Sequence, residues 1–177
     1  DKLDRHVEKT LVPANTRGSN RRTNRPYVAL TVAAARARQK GDLAKAEELN
    51  KAAQTMPSRD PDDPGFRRLW YVRYADDFLL GFIGPKAEAM NLKNEIGLFL
   101  KNKLQLELSE DKTLVTHARS DVAKFLGFEV HAQHADDRHD RRGQRCINGQ
   151  IGFRVPQKVI GAHCARYLRH GKPIHLK

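Results

Sequence analysis

Cysteine is scarce. The 177 residues contain two, Cys146 and Cys164, and their spacing makes no CxxC motif for metal or redox chemistry. A cytosolic chain with free thiols is the simplest account. Long apolar runs are missing as well. No stretch reaches the roughly 18 residues of a membrane-spanning helix, and no charged-then-apolar leader is visible. Apolar residues make up 39% of the chain, low for a compact domain although the length suffices for one core. Acidic residues are outnumbered: 33 Lys and Arg face 21 Asp and Glu, a net charge of +12. That excess leaves the fold open but implies a polyanionic partner, nucleic acid before an anionic membrane surface. An initiating methionine is absent too, and the first residues already read as helix. Leu3, Val7 and Leu11 fall at i, i+4 and i+8, one face of a helix expected to end before Pro13. A chain that starts inside a helix is expected to continue upstream, and Pro173 to Lys177 carry no stop signal.

What is present changes character along the chain. From Ala14 to Tyr27, Arg17, Arg21, Arg22 and Arg25 stand without an acidic neighbour. Ala29 to Met56 is rich in Ala and Lys and favours helix. Gly41 suits a helix C-cap and Asp42 the next N-cap, which a bent helix and a helical hairpin satisfy equally. Residues 57–65 hold Pro57, Pro61, Pro64 and Gly65 and read as a rigid loop. Leu69 to Tyr74 and Phe78 to Ile83 are aromatic and β-branched runs parted by Ala75-Asp76-Asp77, a hairpin pattern. Lys86 to Leu104 is an amphipathic helix with Ala89, Leu92, Ile96, Phe99 and Leu100 on its apolar stripe. Leu104, Leu106 and Leu108 alternate as in a strand. Val122 to Val130 is an apolar run turning at Gly127, His131 to Arg145 a polar loop, and Val155 to Leu168 a helix entered by Pro156. Helices, hairpin, helix, strand, hairpin and helix in that order indicate an α+β fold with an antiparallel sheet.

The most informative tetrapeptide is Tyr74-Ala75-Asp76-Asp77. At a hairpin tip the twist lets two neighbouring carboxylates approach one point. Such charges repel and pay for desolvation, and a divalent cation relieves both. Mg²⁺ suits hard oxygen ligands and takes one or two carboxylates beside waters and phosphates. That is also the requirement of two-metal phosphoryl transfer. The plain alternative is an exposed Asp-Asp turn with no metal.

Context weighs against the plain alternative. Tyr71-Val72-Arg73 before the tetrapeptide and Phe78-Leu79-Leu80-Gly81 after it resemble the YxDD palm hairpin of reverse transcriptases. The Ala in second place and the preceding Val-Arg are similar to group II intron proteins and their bacterial relatives. Leu106-Glu107-Leu108-Ser109 leading to Lys112-Thr113 is similar to the next palm motif. Phe125-Leu126-Gly127-Phe128-Glu129-Val130 is similar to the hairpin called the primer grip. The basic linker and Ser58-Arg59-Asp60-Pro61 resemble an insertion that precedes the hairpin in these proteins.

The resemblance implies an RNA-directed DNA polymerase (a nucleotidyltransferase) that doubles as an intron maturase in splicing and retrohoming. In that frame, 1–12 is the end of a palm helix and 13–65 a basic helical insertion with its Pro-rich loop. Residues 66–130 form the C-terminal part of the palm, and 131–177 a loop and the start of a helical thumb. Asp76 maps to a direct metal ligand and Asp77 to its signature partner, with Mg²⁺ as cofactor. Tyr74 and Ala75 would lie under the primer end and the incoming nucleotide. Lys112 would neutralise triphosphate charge or protonate pyrophosphate, and Phe125, Leu126 and Gly127 would hold the primer strand. Arg17, Arg21, Arg22 and Arg25 would contact RNA through phosphate-matching forks, with a solvated charged face as the alternative. Partners would be intron RNA template, DNA primer or target and dNTPs, and no membrane. The setting would be a cytoplasmic ribonucleoprotein, nucleoid-associated in a bacterium.

The family's site needs a further aspartate from an upstream strand, so residues 1–177 alone are expected not to extend a primer. Alternatives within reverse transcription are a retron, a diversity-generating element or a CRISPR-linked enzyme. A non-catalytic RNA-binding maturase is the alternative outside it. The cluster of His131, His134, His139 and Cys146 lacks zinc-finger spacing, and its intervening acids indicate a solvated loop.

Overall fold

Leu3, Val7 and Leu11 do share a face, and that face organises the structure, a computed structural model that describes residues 1–135, 137–141, 146–169 and 172–173. Residues 142–145 of the expected polar loop and 174–177 of the tail lie outside the described residues. Chain packing separates two units. The first comprises Asp1–Tyr74 and Phe78–Val115, the second Ala75–Asp77 and Thr116–Lys177.

In the first unit the N-terminal helix runs through Lys2–His6, widens to a π-helix over Val7–Leu11 and closes with a turn over Val12–Ala14. It therefore passes Pro13 instead of ending before it. Proline has no amide hydrogen and clashes with the carbonyl four residues back in an α-helix. The π-helical stretch immediately before it accommodates the ring. Asn15 then closes the helix, its backbone and side-chain nitrogens both 2.9 Å from the Leu11 carbonyl oxygen. Leu3, Val7 and Leu11 pack with Leu69, Leu92, Ile96 and Leu100 into a buried cluster. Each such side chain contributes roughly 1.5–3 kcal/mol on burial. Leu92 and Ile96 come from the expected amphipathic helix, Lys86–Phe99, which continues as a π-helix over Leu100–Leu104.

The strand expected through Leu104, Leu106 and Leu108 does not form. Gln105 adopts a left-handed conformation, φ 55°, and ends the helix. The Leu106 amide donates to the Leu100 carbonyl at 3.1 Å, while Leu104 and Leu108 pack against the core. Leucine alternation here serves a helix end and a coil, and no ladder partner is present among the described residues.

Gly41 and Asp42 make a helical hairpin. Arg25–Gln39 and Leu43–Gln54 are separate helices. Gly41 supplies φ +82°, and the Asp42 carboxylate accepts from the Lys45 amide at 2.9 Å, a normal N-cap. Ala34, Ala46 and Ala53 are their buried residues.

The basic linker and the Pro-rich loop pair with each other. Arg17 and Arg67 exchange backbone hydrogen bonds of 3.1 Å in both directions, the Asn24 amide donates to Ser58, and the Asp60 amide donates to Arg22. The Asp63 carboxylate accepts from the amides of Arg22 (2.7 Å) and Gly65 (2.8 Å), and these bonds lower its pKa. Arg67 is 7% exposed. Its Nε and Nη2 grip both Glu88 oxygens at 2.6 and 2.9 Å, and Nη1 donates to the carbonyls of Asp63 (3.0 Å) and Phe66 (2.8 Å). The bond from Arg67 holds the Glu88 carboxyl below the usual carboxylate range, helped by the charges of Arg67 and Arg17.

Two strands rise from this node: β1, Arg68–Tyr74, and β2, Asp77–Ile83, paired as the expected hairpin. The second unit holds a three-stranded antiparallel sheet of β3 (Ala123–Phe125), β4 (Phe128–Ala132) and β5 (Ile151–Arg154). Leu126 and Gly127 connect β3 to β4 with φ 50° and 79°, the paired positive values of a type I′ turn. Strand β4 takes in His131, placed in a loop by sequence, and β5 was not anticipated. Phe153 sits opposite Val130, and Arg154 opposite Glu129 with a 2.6 Å ion pair. The last helix, Gln157–Ala165, is shorter than expected, because Leu168–Arg169 (β6) pairs with Lys172–Pro173 (β7). The chain is thus α+β with small antiparallel sheets. Cys146 and Cys164 are free and exposed. Among the described residues no helix is long and apolar enough to cross a membrane.

Two variants test these contacts. Gly18 has φ +73°, and a Cβ there would lie 2.5 Å from the Gly65 carbonyl oxygen. Gly18→Ala should lower the urea-unfolding free energy by roughly 2 kcal/mol or more, a left-handed penalty plus a backbone clash. Glu88→Gln should be less stable than the parent at neutral pH. Because the folded carboxyl titrates below its unfolded value, its contribution is present above that unfolded value and fades as pH falls through the folded one. The stability gap between parent and variant should therefore close on acidification, and a gap unchanged down to about pH 3 would refute the pairing.

Candidate functional site

A connection of two residues, Ala75 and Asp76, joins β1 to β2. It sets Tyr74 opposite Asp77 and Trp70 opposite Gly81, and a Cβ on Gly81 would indeed sit 3.7 Å from the Trp70 ring. Alternation then sorts the hairpin into two faces. Leu69, Tyr71, Phe78, Leu80 and Phe82 turn to the core. Trp70, Val72 and Tyr74 are 56%, 49% and 67% exposed, and alternation places Asp77 on their side.

Asp76 and Asp77 are both exposed at the tip. Ala75 before them has φ 51°, a conformation that disfavours an L side chain by roughly 1–2 kcal/mol. Strain of this sort concentrates at functional turns. Below the tip the stem is tied to the N-terminal helix. Arg73 reaches Asp1 at 2.7 Å and Asp4 at 3.4 Å, and the Tyr71 hydroxyl donates to Asp4 at 2.8 Å. Burial, with the Asp4 bond second, pushes the Tyr71 phenol up to about 12. The same bond lowers Asp4, helped by the Arg73 charge. Sequence reasoning passed over these anchors, although a lone arginine in an apolar strand was the available signal.

The tip residues Ala75–Asp77 fall in the same unit as the β3–β4 hairpin, which carries half-buried Phe125, exposed Leu126 and Gly127. Tyr74, Lys112 and the four arginines belong to the first unit. Lys112 is exposed in a turn, its amide 3.2 Å from the Ser109 carbonyl. Three arginines serve the fold. Arg17 donates to the Pro64 carbonyl at 3.1 Å, Arg22 meets one Asp60 oxygen through Nε and Nη2 at 2.7 Å, and Arg21 lies 5.4 Å over the Phe66 ring. Arg25 is exposed.

The donor set at the tip suits a hard divalent ion. Two carboxylates are what Mg²⁺ accepts from a protein when waters and phosphate oxygens complete its shell. Among the described residues no group of three or more His, Cys, Asp or Glu side chains gathers to hold a metal, and the tip offers a pair of carboxylates.

No family model matches the chain. Individual relatives do. Group II intron-encoded protein LtrA of Lactococcus lactis is 35% identical over 116 residues, covering 64% of this chain and 19% of that protein. The COX1/OXI3 intron 2 protein of Saccharomyces cerevisiae is 32% identical over 132 residues, 73% of this chain and 15% of the relative. Nuclear intron maturase 2, mitochondrial, of Arabidopsis thaliana is 32% identical over 76 residues, 43% and 10%. All three relatives are intron proteins or intron maturases by name. More particularly, the chain is homologous to part of the group II intron-encoded proteins, as the YADD motif implied, and spans under a fifth of the length of these relatives.

Tyr71 supplies a test of the stem. Its folded pKa of about 12 exceeds the ordinary value of about 10. Its contribution is therefore full below the unfolded pKa and lost as pH rises through the folded one. Absorbance titration should show one tyrosine ionising near the upper value, and Tyr71→Phe should remove both that transition and part of the alkaline destabilisation.

Proposed function

We propose that the chain is the C-terminal part of the palm and the start of the thumb of a group II intron reverse transcriptase. In the whole protein it would contribute to copying intron RNA into DNA and to the RNA binding that supports splicing and retrohoming. The observation that carries this reading is the exposed Asp76–Asp77 pair at the tip of a Tyr-Ala-Asp-Asp hairpin, in a homologue of group II intron-encoded proteins.

The reaction is nucleotidyl transfer: a primer 3′-hydroxyl attacks the α-phosphate of a dNTP and pyrophosphate leaves. Mg²⁺, when bound, supplies positive charge against the phosphate oxygens. Asp76 would ligate it directly with Asp77 beside it, and the aspartate expected upstream would complete the set. The outer face at Tyr74 offers an aromatic surface under the terminal primer nucleotide, with Ala75 leaving room above the turn. The β3–β4 turn, Phe125 to Gly127, would carry the primer backbone, its glycine permitting close approach. Lys112 would neutralise phosphate charge or donate a proton to the departing pyrophosphate. Arg25, exposed at the start of its helix, is the most available of the four arginines for RNA. The ties of Arg17, Arg21 and Arg22 to the Pro-rich loop would order that surface.

A maturase without polymerase activity is the second reading, favoured by the Arabidopsis relative, whose name says maturase. The intact aspartate pair supports the first. In the full-length protein, Asp76→Asn should lower magnesium-dependent cDNA synthesis roughly 10²-fold or more and leave intron RNA affinity within about two-fold. Undiminished synthesis would refute the catalytic assignment, and a matching loss of RNA affinity would refute the separation of the two roles.

A further inference from the structure

A second feature of the first unit lies on other elements. The N-terminal helix and the π-helical end that follows Phe99 enclose an open groove of about 480 Å³, lined by Lys2, Arg5, His6, Lys9, Phe99 and Lys103 among others, none of them acidic. Among the described residues, none of these four cations forms an ion pair with a carboxylate. The His6 Nε2 is buried and has no hydrogen-bond partner, a state that few buried polar atoms in proteins are left in. The imidazole stacks on Phe99, ring centroids 3.9 Å apart and planes 2° from parallel, so the ring is held in place.

We propose that this groove binds the phosphodiester backbone of a nucleic acid strand. Phosphate oxygens only accept hydrogen bonds, and the charged groups that line the groove only donate: three ammonium groups and a guanidinium fork suited to two oxygens. Lys2, Arg5 and Lys9 line one side of it over at most roughly 10 Å, since Lys9 lies in the π-helical stretch. That is the rise of about three stacked nucleotides. Lys103 faces the same space from the other helix. A membrane surface fits less well, because the one aromatic ring at the groove packs against the core and is not offered for insertion. The inference rests on the nucleic-acid reading of the chain but uses neither aspartate of the hairpin tip.

The test uses the full chain and a labelled single-stranded RNA of about 20 nucleotides, followed by fluorescence anisotropy across a salt series. Arg5→Ala/Lys103→Ala should weaken binding roughly ten-fold at 0.1 M salt and reduce the slope of log K against log salt by about 1.4, two phosphates at about 0.7 each. Lys45→Ala/Lys51→Ala removes equal charge from the helical hairpin and should change affinity less than about two-fold. Asp76→Asn should leave this binding intact, so failure at the tip and failure at the groove are distinguishable. Unchanged affinity and slope in the groove variant would overturn the proposal. So would an equal loss in the hairpin control, or tighter binding to phosphatidylserine vesicles than to RNA.

Discussion

Arg67, through its backbone and its guanidinium together, links the basic linker, the Pro-rich loop, β1 and the start of a core helix. Its backbone pairs with the basic linker at Arg17, its side chain closes the Pro-rich loop through Asp63, and it clamps Glu88 at the start of a core helix. The residue after it begins β1. A nearly buried cation with one loosely held partner would be expensive. Here four donated hydrogen bonds offset its desolvation, two of them to a carboxylate held in bidentate geometry. The hairpin therefore leaves a fixed base, and the acidic tip inherits its direction from that base.

Much of this was visible in the residues. Leu3, Val7 and Leu11 marked the core face because helical periodicity survives a local π widening. Gly41-Asp42 marked a helix boundary because both caps are short-range chemistry. Gly127 marked a turn for a similar reason, and the structure makes it a two-residue primed turn with Leu126. What failed depended on partners. Leucine alternation after Leu104 looked like a strand, but a strand exists only where another chain segment accepts its ladder. Ile151–Arg154 was too short to announce itself and is a strand because β4 lies beside it. The arginine cluster read as one basic surface, and acids more than thirty positions away, Asp60 and Asp63, recruit part of it into the fold. The tip motif was legible as four letters. Its support, Tyr71 and Arg73 on Asp1 and Asp4 at the start of the first helix, was not, because those acids meet the strand only after folding.

Stem and tip divide the work between them. Stem residues neutralise one another: Arg73 and the Tyr71 hydroxyl occupy Asp4. The tip carries Asp76 and Asp77 exposed, past a residue with a disfavoured backbone. Charge that is satisfied holds position, and charge left at the surface remains free to bind. Strain at Ala75 sits at the boundary between the two.

The paired helices of residues 25–54 are stitched by alanine. Ala34, Ala46 and Ala53 are the side chains they bury, and a methyl group contributes little beside the leucines of the main cluster. An element held by so little apolar burial is expected to open locally at less cost than global unfolding. Its amides would then exchange with solvent ahead of those around Val7 and Ile96.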